Sequence, residues 1–95
     1  MTGNLTLHLK KEYFEQIADG TKTEEYRIRT PYWIKRLEGR TYDNIILLCG
    51  YPSRYDTDKR LILPWRGCFR STILHPHFGP EPVDVYVVRV GGGSG

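Results

Sequence analysis

The chain has 95 residues, with 14 Lys and Arg against 11 Asp and Glu and a formal net charge of +3. That length supports one domain with a modest core, and the mild basic excess admits an anionic partner while excluding a histone-like chain or a basic tail. Cys49 and Cys68 stand in neither a CxxC nor a CxH spacing, and a disulfide scaffold in so short a chain would carry more cysteines, so free thiols are expected; no apolar run approaches the roughly 18 residues of a membrane span. Free thiols and an N-terminus without an apolar signal core lead us to expect a cytoplasmic protein.

The segment "LTLHLK" alternates Leu5, Leu7 and Leu9 with Thr6, His8 and Lys10, which predicts a half-buried strand. A helix is predicted over Lys11–Asp19. Its apolar face is Tyr13, Phe14, Ile17 and Ala18. Gly20 occupies the position of a helix-ending glycine. "TEEYRIR" alternates again and predicts a second strand, closed by Thr30-Pro31. A short helix follows near Tyr32–Leu37, with Trp33, Ile34 and Leu37 facing inward.

The densest apolar run, "DNIILLCGY" at 43–51, is the expected central strand. "PSRYDTDKR" reads as a polar loop or hairpin tip. "LILPWRGCFRSTIL" reads as one or two strands interrupted near Pro64 or Gly67. "HPHFGPEP" is a stiff connection and "VDVYVVRV" a closing strand. The fold class expected is α+β: one domain over 1–90, a mostly antiparallel sheet closed as a small barrel, and one or two short flanking helices. Residues 91–95, "GGGSG", have the composition of a flexible tail.

The segment "GTKTEEYRIR" at 20–29 concentrates charge directly after the helix stop. With a period of two, Glu25, Arg27 and Arg29 share one strand face and Tyr26 and Ile28 the other. Lys22 lies at the turn, and its long stem can bring its ammonium back to that face. Two readings follow. The charges form a solvated ion-pair face on an edge strand, or they converge on an anionic or acceptor-rich ligand, where arginine can donate two parallel bonds. A lysine crowded by Arg27 could act as base or nucleophile, whereas one paired tightly with Glu25 would serve only to bind an anion.

Gly20, Lys22, Glu25 and Arg27 fit the pattern G-x-K-x-x-E-x-R, preceded by a strand and an aromatic-bearing helix. In this the chain resembles ASCH domains over Leu5–Arg29; from Tyr42 to Val90 the resemblance is one of strand order. ASCH domains are similar to PUA domains, small β-barrels linked to RNA binding or RNA metabolism. The resemblance implies a cleft lined by Gly20, Lys22, Glu25 and Arg27. Some ASCH proteins of similar size hydrolyse N4-acetylcytidine with a lysine, a threonine and a later glutamate. Lys22 matches the lysine, but Glu25 stands at the threonine position and Glu81 is a poor match for the glutamate. Others are ribonucleases, which suits the Lys/Glu/Arg set better.

A second basic and aromatic stretch, "RYDTDKRLILPWRGCFR", interleaves Tyr55, Trp65 and Phe69 with arginine and lysine, a pattern that can neutralise phosphates and stack on bases. Trp65 and Arg66 join Arg29 as further candidate contacts. The expectation is therefore an RNA- or nucleotide-binding domain. The alternative is a small metal-independent hydrolase of RNA or of a modified nucleoside, with Lys22 and Glu25 as catalytic residues. No cofactor or metal is expected, because His75 and His77 lack a third ligand in sequence reach. The expected partner is RNA or a nucleoside, and the expected state a monomer, with a dimer left open.

Overall fold

The computed structural model describes residues 3–53 and 55–91, with His77 described by its backbone alone. The tail expected at 91–95 lies outside these residues except for Gly91. The chain runs β1 (Asn4–Leu9), α1 (Lys11–Ala18), β2 (Glu24–Ile28), α2 (Pro31–Leu37), β3 (Asn44–Cys49), β4 (Arg60–Pro64), β5 (Cys68–Ile73) and β6 (Val83–Arg89). Short 3-10 turns at Thr57–Lys59 and Pro76–Phe78 lie in the two longer connections.

The strands pair as two three-stranded sheets, β1-β3-β4 and β2-β6-β5. The architecture is α+β as expected. Among the described residues the ladders do not close into a ring, so the molecule is two packed sheets. β1 and β3 pair in parallel, because α1, β2 and α2 together form the crossover between them. The other pairings are antiparallel.

The core lies between the sheets. β1 buries every second residue, Leu5, Leu7 and Leu9, and β3 adds Ile45 and Leu47. The second sheet supplies Tyr86, Val88 and Val90 to the same cluster, with Phe14, Ile17 and Leu37 from the helices. Ala18, expected on the buried face of α1, is exposed, since the helix ends there and its last turn clears the sheet. β6 is the middle strand of its sheet. Val85 and Val87, which point away from that core cluster, are also almost fully buried. Burial on both faces explains why this strand reads as a nearly unbroken apolar run.

Cys49 and Cys68 are free and half-buried. Burial raises the Cys68 thiol above its ordinary value, with a further contribution from Glu38. Among the described residues no helix is long and apolar enough to cross a membrane.

Candidate functional site

The site begins at the end of α1. Gly20 adopts a φ of +87°, in the left-handed region that favours glycine. Its N–H bonds the carbonyl of Ile17, the Thr21 N–H bonds the Asp19 carboxylate, and the Lys22 N–H bonds the carbonyl of Gln16. This wrapped turn sends Lys22 back beside the helix before β2 starts. Gly20 shapes the approach and does not line the cavity.

Among the described residues β2 is an edge strand, paired only with β6. Its charged face nevertheless points inward. Glu25 stands opposite Val88 and Arg27 opposite Tyr86, so both continue the core-facing rows of the sheet. Glu25 is only 8% exposed and is the one buried charged residue among those described, while Ile28 is 39% exposed. The reading of a solvated ion-pair face is thereby replaced by a charged rim to the core. Inward charges on an edge strand also discourage edge-to-edge association.

The Glu25 carboxylate is shared between two cations. Lys22 Nζ lies 3.5 Å from one oxygen and Arg27 Nη2 lies 3.0 Å from the other. Arg27 Nη2 also donates to the carbonyl of His8 at 3.1 Å. That bond ties the edge of one sheet to the edge of the other. Burial pushes the Arg27 guanidinium below its ordinary value, and the neighbouring Glu25 opposes the shift. Arg27 Nε is buried and has no hydrogen-bond partner among the described residues. A buried donor left without a partner costs about 1–3 kcal/mol.

Aromatic rings enclose the trio. Lys22 Nζ sits 5.3 Å from the Tyr13 ring centre and 5.0 Å from that of Tyr26. The Arg27 guanidinium lies 5.2 Å from the Trp33 ring centre. Trp33 is aimed by the cap of α2, where the Thr30 hydroxyl accepts from its N–H and Pro31 sets the first turn. Burial raises the Tyr26 phenol above its ordinary value, and Glu24, which accepts its hydroxyl proton at 3.3 Å, adds to this.

Lys22, Glu25, Arg27, Tyr13, Tyr26 and Trp33 line a cavity of about 420 Å³, with His75 and Phe78 also in its wall. Sequence reasoning missed His8, Tyr13, Tyr26, Phe78 and His75 as wall residues, and read Trp33 as core. His8 and Tyr13 flank the β1–α1 junction, so they lie beside the G-x-K-x-x-E-x-R segment only because β1 and β2 come edge to edge.

The remaining candidates lie elsewhere. Arg29 turns from the cavity to Glu38, at 3.8 Å, and to the face of Tyr86, at 5.4 Å from its ring centre. Trp65 packs edge-on against Tyr42 with ring centres 5.2 Å apart. Arg66 opens onto a separate hollow with Arg89, Thr23, Glu24 and Gly91.

The site is rich in donors. Both Glu25 oxygens are engaged, yet the trio keeps one net positive charge and several N–H groups to offer. Tyr13, Tyr26, Trp33 and Phe78 supply flat apolar surface beside them. Such a cavity suits a planar, acceptor-bearing or anionic ligand. No protein-family model, curated protein or solved structure matches the chain.

Proposed function

We propose that this chain is an RNA- or nucleotide-binding domain of the ASCH type, holding a base or phosphate in the cavity around Lys22, Glu25 and Arg27. The same resemblance leads us to read its two packed sheets as an open counterpart of the PUA-like barrel, in a cytoplasmic protein with free thiols. One observation carries the functional reading: the Lys22 and Arg27 cations converge on one buried carboxylate, Glu25, inside an aromatic-walled cavity. A solvated strand face would splay these side chains apart.

Binding is favoured over catalysis within this reading. A carboxylate at 3.5 Å and two ring faces are the surroundings of a cation, so Lys22 is placed to hold an anion. Glu25 has both oxygens occupied by cations, which leaves it poorly placed to accept a proton from substrate. The hydrolase alternative needs Lys22 released from Glu25 when substrate enters.

The test is a titration of the protein with short single-stranded RNA and with nucleosides at two salt concentrations, run beside a turnover assay. Affinity for RNA should fall with salt. Glu25→Gln separates the readings. In a binding site it removes a negative charge near the ligand, so affinity holds or rises. In a catalytic site binding survives while the rate falls by roughly 10²–10⁴. Absence of RNA binding at low salt rejects the RNA reading.

A further inference from the structure

Around the edge of β2 two further hollows are linked through shared walls to the cleft. A second hollow of about 340 Å³ shares Tyr13, Lys22, Tyr26 and His75 with it and extends over Thr21, Thr23 and Glu24. A third, also about 340 Å³, shares Thr23 and Glu24 with the second and ends at Arg66, Arg89 and Gly91. The three are thus linked by shared wall residues along the start of β2, with Arg89 on the face of the sheet opposite to Glu25 and Arg27. Arg89 lies directly across the ladder from Glu24, and its N–H bonds the carbonyl of Gly67, which places Arg66 nearby in the connection that leads into β5. From Tyr26 to this pair the distance is on the order of 10 Å, from two residues of strand rise and one or two inter-strand spacings.

The far end has the chemistry of a phosphate contact. Neither Arg66 nor Arg89 forms an ion pair among the described residues. Arg89 lies 5.1 Å from the ring centre of Phe69, which is itself exposed. Among the described residues, the hollows between the cavity and the arginine pair are lined by one carboxylate, Glu24, which accepts from the Tyr26 hydroxyl. An arginine pair beside an exposed ring is the combination that tracks a single strand: cations for the backbone and a flat face for a base.

We propose that Arg66 and Arg89, with Phe69, form a second subsite for the backbone of a single-stranded RNA whose leading nucleotide occupies the Lys22/Glu25/Arg27 cavity. The proposal rests on the reading of that cavity as a nucleotide site. It makes the ligand an oligonucleotide and gives the strand a path along Thr21–Glu24. A free nucleoside fills only the first part of this path.

The experiment titrates wild type, Arg27→Ala and the Arg66→Ala/Arg89→Ala double variant with single-stranded RNA of about six nucleotides, a length within the usual reach of such grooves, and with nucleosides. The double variant should lose at least about tenfold in RNA affinity, and its salt slope should drop by about 1.4, from roughly 0.7 for each phosphate of a single strand. Its nucleoside titration should match wild type, which also shows that the fold is intact. Unchanged RNA affinity in the double variant, with weakened binding by Arg27→Ala, overturns the second subsite and leaves the cavity reading standing. Equal losses for nucleoside and RNA also overturn it, because the arginines would then act through the cavity itself. No RNA binding by wild type at low salt overturns both readings together.

Discussion

Arg27 and Arg29 sit two residues apart on the same face of β2, and the molecule uses them differently. Arg27 is turned into the cavity, held by Glu25, by the His8 carbonyl and under Trp33. Arg29 lies against Tyr86 and reaches Glu38 at the end of α2. The Tyr86 hydroxyl also donates to Glu38, so protein groups gather at this end of the strand, while Arg29 Nε, like Arg27 Nε, is buried without a hydrogen-bond partner among the described residues. The two shifts in basicity run in opposite directions. Burial lowers the Arg27 guanidinium, while hydrogen bonding to Tyr86 raises that of Arg29. Identical residue type and matching strand face thus do not decide role. The partners supplied by neighbouring elements do. Arg29 fastens α2 to the sheet, and Arg27 faces the space a ligand would fill.

The comparison breaks most visibly at the residue that holds the cavity end together. Glu25→Ala leaves Lys22 and Arg27 without their shared counter-charge. Removing one partner of a buried ion pair costs about 3 kcal/mol at the lower end of the usual range. Urea unfolding should show this as a clear fall in midpoint, whereas a midpoint equal to wild type would mean that the carboxylate contributes nothing to the cation pair.

Arg27→Ala and Arg29→Ala sharpen the contrast directly. The first should weaken RNA or nucleotide binding by about 1.5–3 kcal/mol, the range for a charge-assisted bond. The second should leave affinity unchanged and lower the unfolding midpoint instead. Isothermal titration and urea melts on the two variants separate these outcomes, and parallel losses of affinity would erase the distinction drawn here.

Tyr86→Phe removes the hydroxyl that bonds Glu38 while keeping the ring under Arg29. The expected cost is about 1 kcal/mol of stability, in line with an ordinary intramolecular hydrogen bond, with no change in ligand affinity. Thermal unfolding of this variant beside the Arg29→Ala chain shows whether the two share one interaction.

The smallest effect concerns the turn that presents Lys22. Hydrogen bonds from Thr21 hold the Asp19 carboxyl below its ordinary value of 3.8. A group with a lowered folded value binds fewer protons folded than unfolded, so it stabilises the fold above pH 3.8 and loses that contribution as the pH falls through its folded value. Asp19→Asn should therefore flatten the acid limb of a stability-against-pH curve slightly. An identical acid limb in the variant would remove Asp19 from the account of the turn.

Much of the framework was legible because it is local. The β1 alternation Leu5, Leu7, Leu9, the glycine stop at Gly20 and the strand break at Thr30-Pro31 each act within a few residues, and each is where the pattern placed it, whereas the capping bond of Thr30 to α2 was not read. The trio Lys22, Glu25 and Arg27 was legible for the same reason. The sheet partition was not, since parallel pairing of β1 with β3 depends on contacts forty residues apart in sequence, Asn4 with Asn44 among them. The inward direction of the Glu25 face depends on the sheet onto which β6 packs. Arg29 shows the limit of spacing alone: the period of two puts it beside Arg27, but the position of Tyr86 and Glu38 draws it away. The cavity walls at His75 and Phe78 come from a connection that carries no periodicity to read.

The most direct measurement is a two-dimensional amide and indole NMR titration with short single-stranded RNA and with nucleosides. The account requires that the resonances moving first belong to His8, residues 22–28 and the Trp33 indole, with nucleosides moving this group and RNA moving it together with the residues around Arg66 and Arg89. Shifts centred on Tyr42, Trp65 and the far face of β4, with the Trp33 indole unmoved at saturation, would contradict the placement of the ligand in the Lys22/Glu25/Arg27 cavity.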